Sequence, residues 1–174
     1  MIEQIISWLY PAARPVTDWL LADDGNGPQI VHWDEQAIGA PEPTVEEVMA
    51  HEADWRLDTA RRAKIEAIDA RSLELLTAGL EVAEGKVIST SPTAQHNLTD
   101  LMVGVQTGLT GLPQGISTVD GDQYIITDET DLMRIAGMWA ARKKEVLDAG
   151  RALRIQVLQA ETLQEVEAVT DTRT

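Results

Sequence analysis

The longest apolar pattern in the chain predicts a helix over residues 44–78. Neither glycine nor proline interrupts this segment, and alanine, leucine, glutamate and arginine, which all favour helices, dominate it. Its apolar residues recur at spacings compatible with one helix face and are Val45, Val48, Met49, Ala53, Ala60, Ala63, Ala67, Ile68, Leu75 and Leu76. Such a helix is roughly 50 Å long at 1.5 Å per residue. We therefore expect it to extend beyond one compact core and to pack against a partner helix, a second subunit, or both.

Two further helices are indicated by capping residues and apolar spacing. Ser91 and Pro92 open the first, with serine as the N-cap and proline at the first helical position. Thr127, Asp128 and Glu129 open the second, because acidic side chains suit the positive end of a helix dipole. The apolar face of this second helix consists of Leu132, Ile135, Trp139, Val146, Leu153 and Val157.

Capping boxes and a glycine define further helix ends. Thr44 with Glu47, and Thr162 with Glu165, each have the spacing at which a threonine hydroxyl and a glutamate carboxylate cap the first turn reciprocally. The first box begins the long helix, and the second predicts a short final helix. Gly79 follows the long helix, at a position where glycine commonly ends one.

Three β-hairpins are predicted from pairs of short apolar runs joined by turn sequences. The paired runs are residues 18–23 with 28–33, 80–83 with 86–90 and 115–119 with 122–126. The first turn reads Asp-Gly-Asn-Gly, and its asparagine and glycines supply the positive φ angles that tight turns need. The expected fold class is α+β, mainly α, with long helices and three short β-hairpins in an elongated molecule.

A proline-rich segment divides the sequence into two predicted parts. Each proline fixes its own φ angle and restricts the residue before it, so we expect a stiff linker. We predict an N-terminal hairpin docking module over residues 1–40, a Pro-rich linker over 41–43, and a helical domain with two inserted β-hairpins over 44–174.

The charge and composition of the chain exclude several classes of function. A net charge of −15 over 174 residues disfavours nucleic acid and anionic membranes as partners and leaves a positively charged protein as a possible one. The absence of cysteine excludes disulfides, zinc–thiolate sites and thiol catalysis. No apolar run approaches the ~18 residues of a membrane span, and the N-terminus lacks the pattern of a signal peptide.

No candidate catalytic or metal site emerges from the motifs. The three histidines, His32, His51 and His96, lack metal-ligand spacing, and the chain has no phosphate-binding loop and no nucleophile motif. The acidic run at residues 23–27 has oxygen ligands of the kind that calcium loops use, but a hairpin turn explains it fully. We therefore predict that the protein is not an enzyme and needs no cofactor or metal.

Aromatic and basic residues are the candidates for protein interfaces. Three of the five tryptophans fall within the first 33 residues and predict a small aromatic cluster there. Basic residues on the long helix alternate with acids, which favours pairs within the helix or, alternatively, a charged face that selects a partner helix. The predicted interface residues are Trp8, Trp19, Trp33, Arg61, Arg62 and Trp139.

Two stretches of the chain resemble phage families. The first is the pattern Leu9-Tyr10-Pro11, Asp18, Asp23-Asp24-Gly25, Gly27-Pro28, Ile30, Trp33 and Pro43-Thr44-Val45-Glu46-Glu47. It resembles the opening of XkdW-like phage tail proteins. The second runs from about Ala60 to Val169 and is carried by Ile88-Ser89-Thr90, Asn97-Leu98 and Gly121-Asp122-Gln123-Tyr124. It resembles a domain of unknown function found in phage tail-fibre and tail-fibre-assembly proteins.

The resemblance implies a role in a bacteriophage tail. We expect a structural component of the tail or baseplate, an adaptor or fibre-anchoring protein that acts by docking onto other proteins. The alternative is a non-virion chaperone for assembly of the tail fibre. The expected partners are other phage tail, baseplate or fibre proteins and further copies of the chain, with the protein made in the host cytoplasm and located in the virion.

Overall fold

The computed structural model describes residues 1–25 and 27–174. Helical residues make up 55% of it and strands 16%, which confirms the predicted α+β, mainly α class. The elements are α1 (Ile2–Leu9), β1 (Trp19–Asp23), β2 (Pro28–Trp33), α2 (Glu35–Ile38), α3 (Val45–Ala50), α4 (Glu52–Thr77), β3 (Leu80–Ala83), β4 (Lys86–Ile88), α5 (Pro92–Gln106), β5 (Gln114–Ser117), β6 (Gln123–Ile126), α6 (Glu129–Gln159) and α7 (Leu163–Ala168).

Each of the three predicted hairpins forms a two-stranded antiparallel sheet. In the first, Trp19 lies opposite Trp33, and the register shifts between Leu20 and Leu21. A bulge of this kind bends the strand and increases its twist. Asn26, in the predicted first turn, lies outside the described residues.

The prediction of a single helix over residues 44–78 is wrong at His51, which separates α3 from α4. The backbone N–H of His51 donates to the carbonyl of Val48 at 3.1 Å, three residues back, which tightens the last turn of α3. The N–H of Trp55 then donates to the carbonyl of His51 at 2.9 Å as α4 begins. α4 alone has 26 residues and a length of about 39 Å.

The helix caps follow the predictions from sequence. The hydroxyl of Thr44 accepts from the N–H of Glu47 at 3.2 Å, while the carboxylate of Glu47 accepts from the N–H of Thr44 at 2.7 Å. The hydrogen bond from the backbone N–H of Thr44, followed by one from its side chain, lowers the pKa of Glu47. Asp128 caps α6 through the N–H of Asp131 at 2.9 Å. The one-turn helix α2, capped by Asp34, was not predicted.

The described chain divides into two compact units. The first contains Met1–Arg62 and Glu161–Val166, and the second contains Ala63–Ala160 and Glu167–Thr174. The predicted division at 41–43 concerns which parts fold independently, and it stays a prediction.

Each unit has its own apolar core. In the first unit, α1, β1 and α3 meet at the buried side chains of Ile5, Ile6, Trp19 and Val48. In the second, two hairpins pack against α5 and α6 through Val82, Ile88, Leu98, Ile126, Leu132 and Ile135. The second and third hairpins are also joined directly, because the N–H of Ser89 donates to the carbonyl of Ser117 at 2.9 Å.

Candidate protein-interaction surfaces

A tightly held loop precedes the first hairpin. The carboxylate of Asp18 is nearly buried and accepts the backbone N–H of Arg14 at 2.8 Å. It also pairs with the guanidinium of Arg14 at 3.3 Å. The backbone hydrogen bond, followed by the side-chain bonds from Arg14, holds the pKa of Asp18 below its usual value despite the burial. The loop is therefore fixed by its own ionised carboxylate.

Within this loop, Val16 adopts a φ angle of +70°. A β-branched residue rarely occupies this left-handed region, because its side chain then crowds the backbone. The N–H of Val16 donates to the carbonyl of Trp19 at 2.7 Å, which helps to maintain the conformation. The side chain itself points outward and is 73% exposed. Backbone strain of this kind costs about 1–3 kcal/mol and concentrates at functional sites.

Two further exposed apolar residues, Leu20 and Val31, lie on the neighbouring hairpin. His32 connects them to the loop, because it lies opposite Leu20 in the sheet and its Nε2 is 3.0 Å from the carbonyl oxygen of Thr17. We call Val16, Leu20 and Val31 the Val16 surface. No sequence signal marks it, since neither glycine nor asparagine stands at the positive φ angle.

Two of the three tryptophans of the predicted aromatic cluster, Trp19 and Trp33, pack in the first core. Trp19 is only 1% exposed, and its Nε1 has no hydrogen-bond partner among the described residues. The rings of Trp33 and Tyr10 meet edge to face with centroids 5.1 Å apart, and the Nε1 of Trp33 donates to the carbonyl of Ala40 at 2.9 Å. The structure thus places Trp19 in the core, and the interface roles predicted for Trp19 and Trp33 stay predictions.

Trp8 and Arg62 meet at one carboxylate. The Nε1 of Trp8 donates to Oδ2 of Asp58 at 2.8 Å, and the guanidinium of Arg62 lies 2.8 Å from the same oxygen. Arg61 on α4 is half-buried and is also engaged in an interaction. Arg56, Arg62 and Arg71 each form a salt bridge with an acidic residue of α4 itself. This arrangement agrees with the first of the two interpretations of the basic residues.

Trp139 is remote in sequence from the other predicted residues and lines a cavity of about 220 Å³ inside the second unit. The cavity lies between β4, α5 and β5, and its walls include Ser89, Asn97 and Gln114. Its lining residues carry no ionisable side chain. The other predicted interface residues do not line this cavity.

An open groove runs between α4 and α6 in the second unit. Four of its large apolar side chains are strongly exposed, namely Leu73 at 63%, Leu147 at 44%, Ile155 at 47% and Leu158 at 61%. The rest of the lining is Asp69, Ser72, Leu76, Gly150, Arg151 and Arg154. We call this set the α4–α6 groove. The sequence prediction missed it, although these residues recur at helical spacing.

The C-terminal tail crosses the same pair of helices. The guanidinium of Arg173 donates to the carbonyl of Ile68 on α4 at 2.9 Å and to the carbonyl of Val146 on α6 at 3.2 Å. Asp171 pairs with Arg173, raising the pKa of the arginine and lowering its own. The tail lines a separate pocket with Leu75 and Val146, residues that do not line the α4–α6 groove.

The described part of the chain holds no group of three or more histidine, aspartate or glutamate side chains placed to bind a metal ion. In the acidic turn, Oδ1 of Asp23 accepts the N–H groups of Gly25 and Gly27 at 2.9 and 3.2 Å, as in a side-chain-capped turn. Within residues 1–25 and 27–174, no helix is both long and apolar enough to cross a membrane.

Two family models match the chain. Residues 59–172 match the family described as a domain of unknown function, DUF4376, and residues 2–60 match the one described as XkdW protein. Both are phage-associated families. Their junction falls within a few residues of the change from the first unit to the second at residues 62–63. No curated protein and no solved structure matches this chain.

Proposed function

We propose, from the premise that this chain belongs to the phage-associated family DUF4376, that it is a structural component of a bacteriophage tail or baseplate. In this proposal it is an adaptor or fibre anchor, made in the host cytoplasm and built into the virion, and it acts by binding other tail proteins without catalysis. The match of residues 2–60 to XkdW protein supports a phage role for the first unit as well.

The Val16 surface is the observation that carries the docking role. The loop keeps a strained φ angle at Val16 and, in doing so, presents an apolar side chain to solvent. Neither the strain nor the exposure stabilises the isolated chain. The simplest explanation is that binding of a partner offsets the free-energy cost of both. A preformed loop also loses little conformational entropy on binding.

The charge around this surface indicates the chemistry of the partner. The first unit carries fourteen acidic residues against four arginines, and the guanidinium of one of these, Arg14, is engaged by Asp18. Opposite charges around an apolar centre steer association and fix the register. The partner is thus a tail protein with an apolar patch bordered by lysine or arginine.

Incorporation of variants into phage particles tests this role. A phage lacking the gene is complemented with the wild-type chain, with Val16→Asp, or with Val103→Asp as the matched control. Val103 is 53% exposed on α5 in the second unit, so the same charge is added at similar exposure away from the Val16 surface. We expect Val16→Asp to lower the amount of the protein in purified particles at least ~tenfold, while Val103→Asp incorporates normally. Equal incorporation of both variants would refute docking through the Val16 surface.

A further inference from the structure

The α4–α6 groove has the form of an unfilled helix-packing site. On α4, Asp69, Leu73 and Leu76 recur at steps of four and three, which places them on one face. On α6, Leu147, Arg151, Arg154 and Leu158 recur at steps of four, three and four and form the facing stripe. Such spacing is typical of helices that pack along their length against other helices.

The two helices run antiparallel at the groove. Oδ1 of Asp69 lies 3.3 Å from Nη1 of Arg154, and a Cβ placed on Gly150 would lie 3.0 Å from Oγ of Ser72. Residue numbers therefore rise along α4 as they fall along α6, and Asp69 and Arg154 lie at the same level of the pair. Asp69 therefore lies on the α4 wall of the groove and Arg154 on the α6 wall.

We propose that the second unit pairs with a second copy of the same chain through the α4–α6 groove, related by a two-fold axis parallel to the helices. Rotation about that axis lays α4 of each copy on α6 of the other at the same level. Asp69 then faces Arg154 of the second copy, and Leu76 faces Leu147 of the second copy. A two-fold interface must be self-complementary in this way.

Charge favours this occupant over an unrelated helix. The two pairs of Asp69 and Arg154 form a neutral ring of four alternating charges, so no charge at that level is left without an opposite one. The pairing also covers the four exposed apolar side chains of the groove. The proposed pairing of two copies concerns the second unit alone and goes beyond the docking proposed for the Val16 surface of the first unit. Either proposal can therefore fail without the other.

Sedimentation of the full chain tests whether pairs form through the groove. We expect the wild type to sediment as a dimer of the 19.1 kDa chain. Leu73→Asp is expected to sediment as a monomer that keeps the helical circular-dichroism spectrum of the wild type, because Leu73 is exposed in the single chain. Leu109→Asp is the matched control, since Leu109 is 85% exposed outside the groove, and it should remain dimeric. A monomeric wild type, or a dimeric Leu73→Asp, would overturn the proposal.

Charge reversal tests the arrangement of the two copies. Asp69→Arg alone and Arg154→Asp alone each place like charges across the interface, and we expect each to associate at least ~tenfold more weakly than the wild type. An equal mixture of the two should dimerise again. In that mixture each chain still has two like charges at positions 69 and 154. Only the contacts between the two different chains bring opposite charges together. If mixing restores nothing while the wild type dimerises, the proposed two-fold arrangement is wrong.

Discussion

Arg173, one residue from the C-terminus, donates a hydrogen bond to the hydroxyl of Ser72, near the C-terminal end of α4, at 2.7 Å. The same guanidinium reaches the carbonyls of Ile68 and Val146, and its side chain is only 10% exposed. A cation shielded from water to this extent needs such partners, because desolvation otherwise opposes its burial. The tail therefore forms part of the packing of α4 against α6.

Replacement of Arg173 by alanine should destabilise the second unit. The change removes several hydrogen bonds from a charged donor and takes away the guanidinium that pairs with Asp171. We expect a loss of about 2 kcal/mol in the free energy of unfolding, seen as a lower thermal midpoint by circular dichroism. Lys143→Ala is the control, because Lys143 is an exposed cation on the same helix α6 and does not line the α4–α6 groove. Equal midpoints for the two variants would contradict a structural role for the tail.

Gly150 on α6 allows the side chains of Arg173 and Ser72 to come close to the backbone of that helix. A Cβ on Gly150 would lie 2.8 Å from Nη1 of Arg173 and 3.0 Å from Oγ of Ser72, closer than packed atoms normally come. Gly150→Ala should therefore cost about 1–3 kcal/mol of stability by overpacking. Gly137→Ala is the matched control on the same helix, because its Cβ would meet nothing within 4 Å. That variant should gain up to ~1 kcal/mol from helix propensity. The account of the contact fails if both variants shift the midpoint in the same direction.

Val16→Gly should raise stability while it weakens docking. Glycine adopts a φ angle of +70° without the crowding that valine meets, so the strain is relieved. We expect a gain of about 1 kcal/mol in the free energy of unfolding, measured by denaturant titration, together with a lower amount in particles. Val16→Ile, which keeps the β-branched side chain, should leave stability unchanged. A less stable Val16→Gly would show that the valine serves the fold alone.

Acid should destabilise the first unit through Asp18. Its pKa in the folded chain is lowered below the ordinary value of 3.8, so its contribution to stability is complete above that value and is lost as the pH falls through the folded pKa. Asp18→Asn removes the titrating group, and its stability should fall less steeply than that of the wild type below pH ~4. Denaturant titrations across this range measure the slope. An unchanged slope in Asp18→Asn would argue against this role.

Local sequence signals predicted the features of this fold that depend on neighbours in the chain. The capping box of Thr44 and Glu47, the cap at Asp128 and the hairpin turns each involve residues within a few positions of one another. The break at His51 lacked such a signal, because no glycine or proline interrupts the helical pattern there. The apolar periodicity therefore predicted, wrongly, that one helix continues through His51.

The surfaces depend on contacts that local patterns do not contain. Arg173 and Ile68 are 105 positions apart, so neither residue indicates the other in the sequence. Trp19 was predicted from its residue type as an interface residue, whereas burial depends on how β1 meets α1 and α3. The exposed leucines of the α4–α6 groove likewise resemble core residues until the packing of both helices is known.

The composition of purified phage particles tests the central claim most directly. Quantitative mass spectrometry of particles from the phage that encodes this chain should find it at a fixed copy number relative to the other tail proteins. That result would support a structural role in the virion. Its absence from particles, or a variable and substoichiometric trace despite abundance in the infected cell, would contradict the claim and favour the assembly chaperone instead.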